Sequence, residues 1–127
     1  MIVLDANVLI AFLDASDAHH DDAISLFEHR FLDGFSASAL SVAEALVHPV
    51  RAGRQDSVAA SLAVIGVEVL PLEPSQAAEL ARVRNQYRVR MPDAVALHAA
   101  ISSGSELATF DDTLAAAARS AGIRIAR

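Results

Sequence analysis

The chain has 127 residues, enough for one domain with a buried core, and we expect residues 1–127 to form that single domain. It contains no cysteine, which excludes disulfides and thiolate metal sites, and all ten basic residues are arginine because lysine is absent. The net charge of −6 argues against tight nonspecific binding to nucleic acid, but it does not exclude a nucleic-acid enzyme whose own cations screen an acidic site.

The apolar content of the chain bears on its location and its partners. No apolar run approaches the roughly 20 residues that a membrane helix needs. The N-terminus lacks the basic start of a signal peptide, and Asp5 interrupts its apolar stretch. We therefore expect a cytoplasmic protein. Hydrophobic residues make up 54% of the chain, which favours a surface that is buried against a partner or a second copy.

Short apolar segments alternate with helical patterns along the chain. The predicted strands are, in order, Ile2–Leu4, Phe35–Ala37, Val67–Leu70, Glu106–Thr109 and Ile123–Ile125. The helical patterns between and after them are Val8–Asp14, Ala18–Phe31, Ala39–Val50, Gln55–Ile65, Ser75–Tyr87, Pro92–Ser102 and Asp112–Ala121. This alternation predicts an α/β fold, a three-layer α/β/α sandwich with a central parallel sheet of about five strands.

One helix and several punctuating residues refine this prediction. The segment Pro92–Ser102 is apolar nearly all round, which predicts the most buried helix, packed against the sheet. Pro92 suits a first helical position, and Gly104 and Gly122 fall just past helix ends, where a left-handed cap is favoured. The last predicted strand alternates apolar and charged residues, as an edge strand does.

Four acids fall at the ends of these elements. Asp5 ends the first strand, and Asp111 follows the fourth. Asp93 lies in the first turn of the buried helix, and Glu44 lies in the second turn of the helix after the second strand. The carboxyl ends of parallel strands and the N-termini of the following helices share one edge, and helical side chains lean towards the N-terminus. We therefore expect the four acids to point into one cleft.

A cluster of this kind needs positive charge. Taken singly, Asp93 or Asp111 is explained as a helix cap, and Glu44 as an exposed helix residue. Asp5 is different, since it interrupts an apolar segment. Crowded carboxylates repel one another, and no lysine is present to neutralise them. A hard divalent cation resolves the repulsion, so the residues predict a site for Mg²⁺ or Mn²⁺.

The four acidic segments together resemble a known family. They are Met1–Asn7 (MIVLDAN), Ser41–Glu44 (SVAE), Met91–Ala94 (MPDA) and Thr109–Asp111 (TFD). In this order they resemble the acidic motifs of PIN-domain ribonucleases, and among these the VapC-type toxins of bacterial toxin–antitoxin pairs. The resemblance covers essentially the whole chain. Each motif is short, and it is the four in register that make the signal specific.

The resemblance implies a PIN-like fold and a metal-dependent endoribonuclease, a hydrolase that cleaves RNA phosphodiester bonds as the toxin of a toxin–antitoxin system. The implied catalytic residues are the four acids, Asp5, Glu44, Asp93 and Asp111. Asp5 and Asp93 would be the principal ligands of Mg²⁺ or Mn²⁺, and the other two acids would coordinate directly or through water. Asn7 and Thr109 would orient the ligands. The implied partners are an RNA substrate and a cognate antitoxin, in a homodimer or a hetero-oligomer, with no membrane.

Three further residues leave alternatives open. Asp112 directly follows Asp111, and the fourth family position is assigned to Asp111 because that residue follows Thr109 by two places. Whether Asp112 shares its role stays open. Arg84 and Arg88 share a helical face shortly before Asp93, which suits either contact with RNA phosphates or an ordinary solvated face. None of the five histidines is assigned to catalysis.

Two other functions compete with the ribonuclease. The first is a phosphoryl-transfer domain, phosphatase-like with Asp5 as nucleophile or a phospho-accepting receiver. Such designs usually pair the phosphate with a lysine, which this chain lacks. The second is a catalytically silent interaction module, against which the presence of all four acids argues.

Overall fold

The computed structural model describes residues 1–127 and consists of four strands and seven helices. The strands are β1 (Ile2–Leu4), β2 (Phe35–Ser38), β3 (Val67–Leu70) and β4 (Glu106–Ala108). The helices are α1 (Ala6–Leu13), α2 (His20–His29), α3 (Ala39–Arg51), α4 (Gln55–Val64), α5 (Ala77–Tyr87), α6 (Met91–Ser103) and α7 (Asp112–Ser120), with short 3-10 turns at Phe31–Asp33 and Pro74–Gln76. All seven helical patterns of the sequence are helices with ends within two residues of the prediction.

The four strands form one parallel sheet in the order β3-β2-β1-β4. This confirms the predicted parallel sheet, with four strands where about five were predicted. The segment around Ile125 lies beside β4 but makes a single bridge to it, at Leu107. The reason is the length of β4. β4 has three residues, and only Leu107 directs both its N–H and its carbonyl to this side. The N–H donates to the carbonyl of Arg124 at 3.0 Å, and the carbonyl accepts from the N–H of Ala126 at 2.9 Å.

Helices cover both faces of the sheet, as the prediction of three layers requires. Successive residues of β1 point to opposite faces, so Ile2 and Leu4 belong to one core and Val3 to the other. The first core is closed by side chains of α1 to α4, and the second by those of α6 and α7. The central position of β1 therefore places its C-terminal end between two helical layers.

The most buried helix is α6, as predicted. Eight consecutive residues, from Asp93 to Ala100, are buried. The helix ends at Gly104, whose φ of 64° is the left-handed conformation that glycine adopts without strain. No helix of the chain is both long enough and apolar enough to cross a bilayer.

Candidate metal centre

Asp5 stands at the junction of β1 and α1 and is held there by three contacts. Its backbone N–H donates to the carbonyl of Ala108 in β4 at 3.0 Å. Its side chain caps α1, with Oδ1 accepting from the N–H of Ala6 at 2.8 Å, while Oδ2 accepts from the hydroxyl of Thr109 at 2.8 Å. The residue is 7% exposed. Its carboxyl group is thus fixed in orientation and largely removed from water.

The loop after β4 is joined to the start of α1 by side chains of Asn7 and Thr109. The amide of Asn7 donates to Thr109 Oγ1 at 3.3 Å, and its carbonyl oxygen accepts from the N–H of Phe110 at 3.2 Å. Thr109 Oγ1 also accepts from the N–H of Asp111 at 3.1 Å. Because Thr109 donates to Asp5 as well, one network fixes Asp5 and the loop that carries Asp111.

Asp111 caps α7 in the same way that Asp5 caps α1. Its Oδ1 accepts from the N–H groups of Thr113 and Leu114, at 2.8 and 3.3 Å, which leaves Oδ2 without a hydrogen bond. The neighbouring Asp112 is the exposed first residue of α7. The backbone conformation at the start of α7 therefore separates the two consecutive acids, turning Asp111 back towards the sheet.

Asp93 reaches this edge from the first turn of α6 and is 6% exposed. Its Oδ2 accepts from Nε of Arg90 at 3.3 Å. The side chain of Arg90 is 77% exposed, so this pair lies at the mouth of the site. The sequence did not predict this pair, although the position of Arg90 three residues before Asp93 at a helix start is the spacing at which such pairs form.

The carboxylates of Asp5, Asp93 and Asp111 form the acidic site, and their proximity is visible in the pKa of Asp5. The pKa of Asp5 is raised from 3.8 to about 6, mainly by burial and also by the negative charges of Asp93 and Asp111. The hydrogen bonds from Thr109 and Ala6 oppose this rise because they favour the charged form. Three acids that are tens of residues apart in sequence are thus brought together at one sheet edge.

Glu44 does not belong to this close group. It lies on the second turn of α3 and is exposed, because α3 turns Val42 and Ala45 towards the core. The charges that act on Asp5 are those of Asp93 and Asp111, and Glu44 is not among them.

Arg84 and Arg88 lie on the same side of α6 as Arg90. Together with Asn85, Val89 and Arg90 they line a shallow recess of about 340 Å³. Arg88 ends α5 in the left-handed conformation, with φ of 54°. This turn carries the chain from α5 into α6, and Arg84 and Arg88 thereby share one recess with Arg90, which contacts Asp93.

The donor set of the acidic site suits a hard divalent cation. It consists of oxygen atoms only, and the buried carboxyl of Asp5 has no basic side chain as a partner. The only cation that contacts the site, Arg90, is mostly exposed and free to move away. No group of three or more acidic or histidine side chains converges closely enough to hold a cation alone. A cation bound here would therefore use a few carboxylates and complete its shell with water, which is the usual manner of Mg²⁺.

Comparison with known families identifies the family of the chain. The model of the PIN domain matches residues 2–120. The chain belongs to the PIN-domain family. This confirms the family indicated by the four acidic segments. A comparison with curated protein sequences found no match.

Solved PIN-like structures share the fold over nearly the whole chain. A toxin–antitoxin complex from Klebsiella pneumoniae is 19% identical with a TM-score of 0.71, covering 91% of each chain. VapC20 from Mycobacterium tuberculosis, a toxin that cleaves the sarcin–ricin loop, is 19% identical with a TM-score of 0.70, covering 92% of this chain and 95% of its own. PAE2754 from Pyrobaculum aerophilum is 30% identical with a TM-score of 0.61, covering 98% and 89%.

Proposed function

We propose that this PIN-domain protein is a Mg²⁺- or Mn²⁺-dependent endoribonuclease that acts in the cytoplasm as the toxin of a toxin–antitoxin pair. The observation that carries the proposal is the buried carboxyl of Asp5, held beside Asp93 and Asp111 without a basic partner. The toxin that cleaves the sarcin–ricin loop shares this fold, which supports RNA as the substrate.

In this proposal Asp5 and Asp93 hold the cation. Oδ2 of Asp5 is fixed by the hydroxyl of Thr109, so the carboxyl group is already oriented before a ligand arrives. Asp93 gains a free oxygen when Arg90 moves away from it. A cation held by these residues would lower the pKa of a water and stabilise the charge on the phosphate.

The other residues of the site act around this pair. Asp111 would coordinate the cation directly or through water with its unbonded Oδ2, since its Oδ1 is committed to the start of α7. Glu44 would coordinate directly or through water from its exposed position on α3. Asn7 holds Thr109 and the following loop, and thereby sets the distance between the two capping acids.

RNA reaches the site past the recess of Arg84, Arg88 and Arg90. Guanidinium groups bind phosphate oxygens in a bidentate manner, and their position beside Asp93 suits the phosphates that flank the scissile one. The net charge of −6 makes such local positive charge necessary, since the chain as a whole repels RNA.

The antitoxin is expected on the apolar outer side of α3. Val47 and Val50 are more than half exposed, and together with Ala43, Leu46 and Arg51 they line an apolar recess. An amphipathic helix that buries these side chains is a common way for such a surface to be covered. A toxin–antitoxin complex with the same fold supports an antitoxin as the partner, in a hetero-oligomer or around a homodimer.

The proposal is tested with protein purified free of any partner. RNA cleavage should require Mg²⁺ or Mn²⁺ and stop in EDTA, and Asp93→Asn should abolish it. Asp56→Asn is the matched control, because Asp56 is an exposed acid in the first turn of α4 and should leave cleavage unchanged. Full cleavage in EDTA that also survives Asp93→Asn would reject the metal mechanism.

The toxin role is tested in growing cells. Expression of the chain alone should arrest growth, and co-expression with a small protein encoded by the neighbouring gene should restore it. Asp93→Asn should be harmless at equal expression. Unimpaired growth with soluble, active wild-type protein would leave a ribonuclease that is not a toxin.

A further inference from the structure

A second cavity, of about 660 Å³, opens beside the acidic site. It lies between α2, the loop after β4, α7 and the segment around Ile125, and we call it the α2–α7 cavity. Thr109 forms part of its wall and also donates to Asp5. A ligand in this cavity is therefore separated from the acidic site by a single side chain.

One wall of the cavity is a flat aromatic surface. The imidazole of His19 lies on the ring of Phe110 with centroids 4.5 Å apart and an angle of 12° between the planes. Asp22 contacts Nδ1 of His19 at 3.3 Å and so keeps the ring in this orientation. The side chain of His19 is 50% exposed. Both residues line the cavity, so the pair offers aromatic surface to a planar ligand.

The depth of the cavity comes from small side chains. Ala108, Ala115 and Ala126 are buried and lie at its floor, where larger residues would fill the space. Arg119 of α7 stands at the rim, is exposed and forms no ion pair with any acid of the chain. The cavity thus combines an apolar floor, an aromatic wall and a free guanidinium group.

These features match the parts of a nucleotide. We propose that the α2–α7 cavity binds one nucleotide of single-stranded RNA next to the scissile phosphate, with its base against the His19–Phe110 pair and its phosphate on Arg119. Bases stack on aromatic rings whatever their sequence, and arginine binds phosphate bidentately. The acids Asp22 and Asp112 at the rim repel phosphate, so the base enters the cavity and the phosphate stays at Arg119.

The proposal rests on the proposed ribonuclease function, because it is a strand lying over Asp5 that leads into this cavity. The same cavity is open to a protein segment. A peptide, however, does not specifically require a flat aromatic wall together with a free guanidinium group. The cavity also continues directly from Thr109, where an RNA strand has to leave the acidic site.

Binding is measured apart from cleavage, with 5′-mononucleotides in EDTA. AMP, GMP, CMP and UMP should shift the NMR signals of Thr109, Phe110 and Ala115, whereas ribose 5-phosphate should bind about tenfold more weakly because it lacks the stacked base. His19→Ala and Arg119→Ala should each weaken AMP binding severalfold. Both residues are exposed, and His19 makes no capping bond, so these variants should fold.

Matched controls come from the same residue types elsewhere. His48→Ala near the end of α3 and Arg82→Ala on α5 remove an exposed histidine and an exposed arginine that lie outside the cavity. Both should bind AMP as wild type does. In cleavage assays His19→Ala should raise KM for RNA about tenfold with little change in kcat, and AMP should compete with RNA.

The outcomes separate this proposal from the ribonuclease function. Wild-type protein that cleaves RNA but binds no mononucleotide, with an unchanged KM for His19→Ala, overturns the subsite and leaves the function intact. Mononucleotide binding in the cavity without any RNA cleavage supports the subsite and contradicts the function. Shifts produced only by an antitoxin peptide, and by no nucleotide, assign the cavity to the protein partner and also overturn the proposal.

Discussion

The hydroxyl of Thr109 donates to Oδ2 of Asp5 at 2.8 Å, joining residues 104 positions apart in the sequence. The same oxygen of Thr109 accepts from Asn7 and from the backbone of Asp111. A single hydroxyl thus sets the orientation of one buried acid of the site and the path of the loop that carries another. Its removal should affect the metal more than the fold.

We expect Thr109→Val to weaken Mn²⁺ binding by about 10- to 100-fold, because residues that orient a metal ligand typically contribute that much. Thr109→Ser keeps the hydroxyl and should retain most of the affinity. Titration calorimetry with Mn²⁺ measures both variants, and circular dichroism checks the fold. Equal Mn²⁺ affinity of the valine variant and wild type would show that Thr109 has no such role.

The raised pKa of Asp5 should be visible in stability measured in EDTA. Between about pH 4 and pH 6 the folded carboxyl keeps a proton that the unfolded chain releases, so the free energy of unfolding of wild type should fall as pH rises. With a pKa of about 6 the total effect is about 3 kcal/mol. Asp5→Asn should lack this decline. The substitution also replaces one of the two side-chain oxygens of Asp5 that accept hydrogen bonds.

The measurement is urea unfolding of both proteins from pH 4 to pH 8. Other titrating groups act on both, so they largely cancel in the difference. This difference should move in favour of Asp5→Asn up to about pH 6 and stay level above it. Asp56→Asn is the control and should give no such trend. Parallel curves for wild type and Asp5→Asn would mean that Asp5 has an ordinary pKa.

Cation binding should compete with the same proton. Below about pH 6 Asp5 must lose a proton before it can act as a ligand, so Mn²⁺ affinity should fall steeply as pH decreases. At neutral pH, Mn²⁺ at a hundredfold excess over its Kd should stabilise wild type by about 2.7 kcal/mol. Asp5→Asn should lose most of this gain. Scanning fluorimetry with and without Mn²⁺ tests both expectations, and an undiminished shift in Asp5→Asn would contradict the proposed ligand.

Arg90 should compete with the cation for Asp93. We expect Arg90→Ala to bind Mn²⁺ severalfold more tightly than wild type, because Oδ2 of Asp93 is then free without displacement of a guanidinium group. The gain should shrink at high salt, since the pair is exposed. Arg82→Ala serves as the control, because Arg82 also precedes Asp93 in the sequence but has no acidic partner. Unchanged or weaker Mn²⁺ binding in Arg90→Ala would rule out this competition.

Arg84 and Arg88 should contribute phosphate contacts. Changing both to glutamine removes the charge but keeps a polar side chain, and it should lower the slope of log affinity against log salt by about 1.4 for single-stranded RNA. Arg51→Gln with Arg54→Gln removes two charges elsewhere and should change the slope less. An unaltered slope in the Arg84 and Arg88 variant would show that both residues belong to an ordinary solvated helix face and do not contact phosphates.

The strongest local patterns of the sequence predicted the fold well. The apolar run of β1 ends at Asp5 and predicts a buried strand. The nearly uniform apolar character of α6 predicts a buried helix. The segment after Gly122 has the alternation of a strand, but the length of its neighbour β4 determines how far it can pair. That length depends on where the chain turns towards Thr109, which is a tertiary property and cannot be read from the alternation.

The site was predictable at the level of the sheet edge and not at the level of single contacts. Topology alone brings Asp5, Asp93 and Asp111 to one edge. The rotation of α3 about its axis, which is set by packing of Val42 and Ala45, decides how far Glu44 lies from them. The contact of Arg90 with Asp93 depends on the turn made by Arg88, whose left-handed backbone has no signal in its residue type.

Asp111 and Asp93 both lie at the start of a helix, but only Asp111 caps one. This difference predicts how the two positions change in evolution once activity is no longer selected. Asp111 bonds two N–H groups of α7, whereas Asp93 caps nothing and is costly to bury. In a lineage released from selection for activity, position 93 should be the first to drift. Position 111 should instead pass to serine, threonine or asparagine, which preserve the helix start. A silent descendant would therefore still carry a polar residue at position 111, and position 93 is the better marker of an active enzyme.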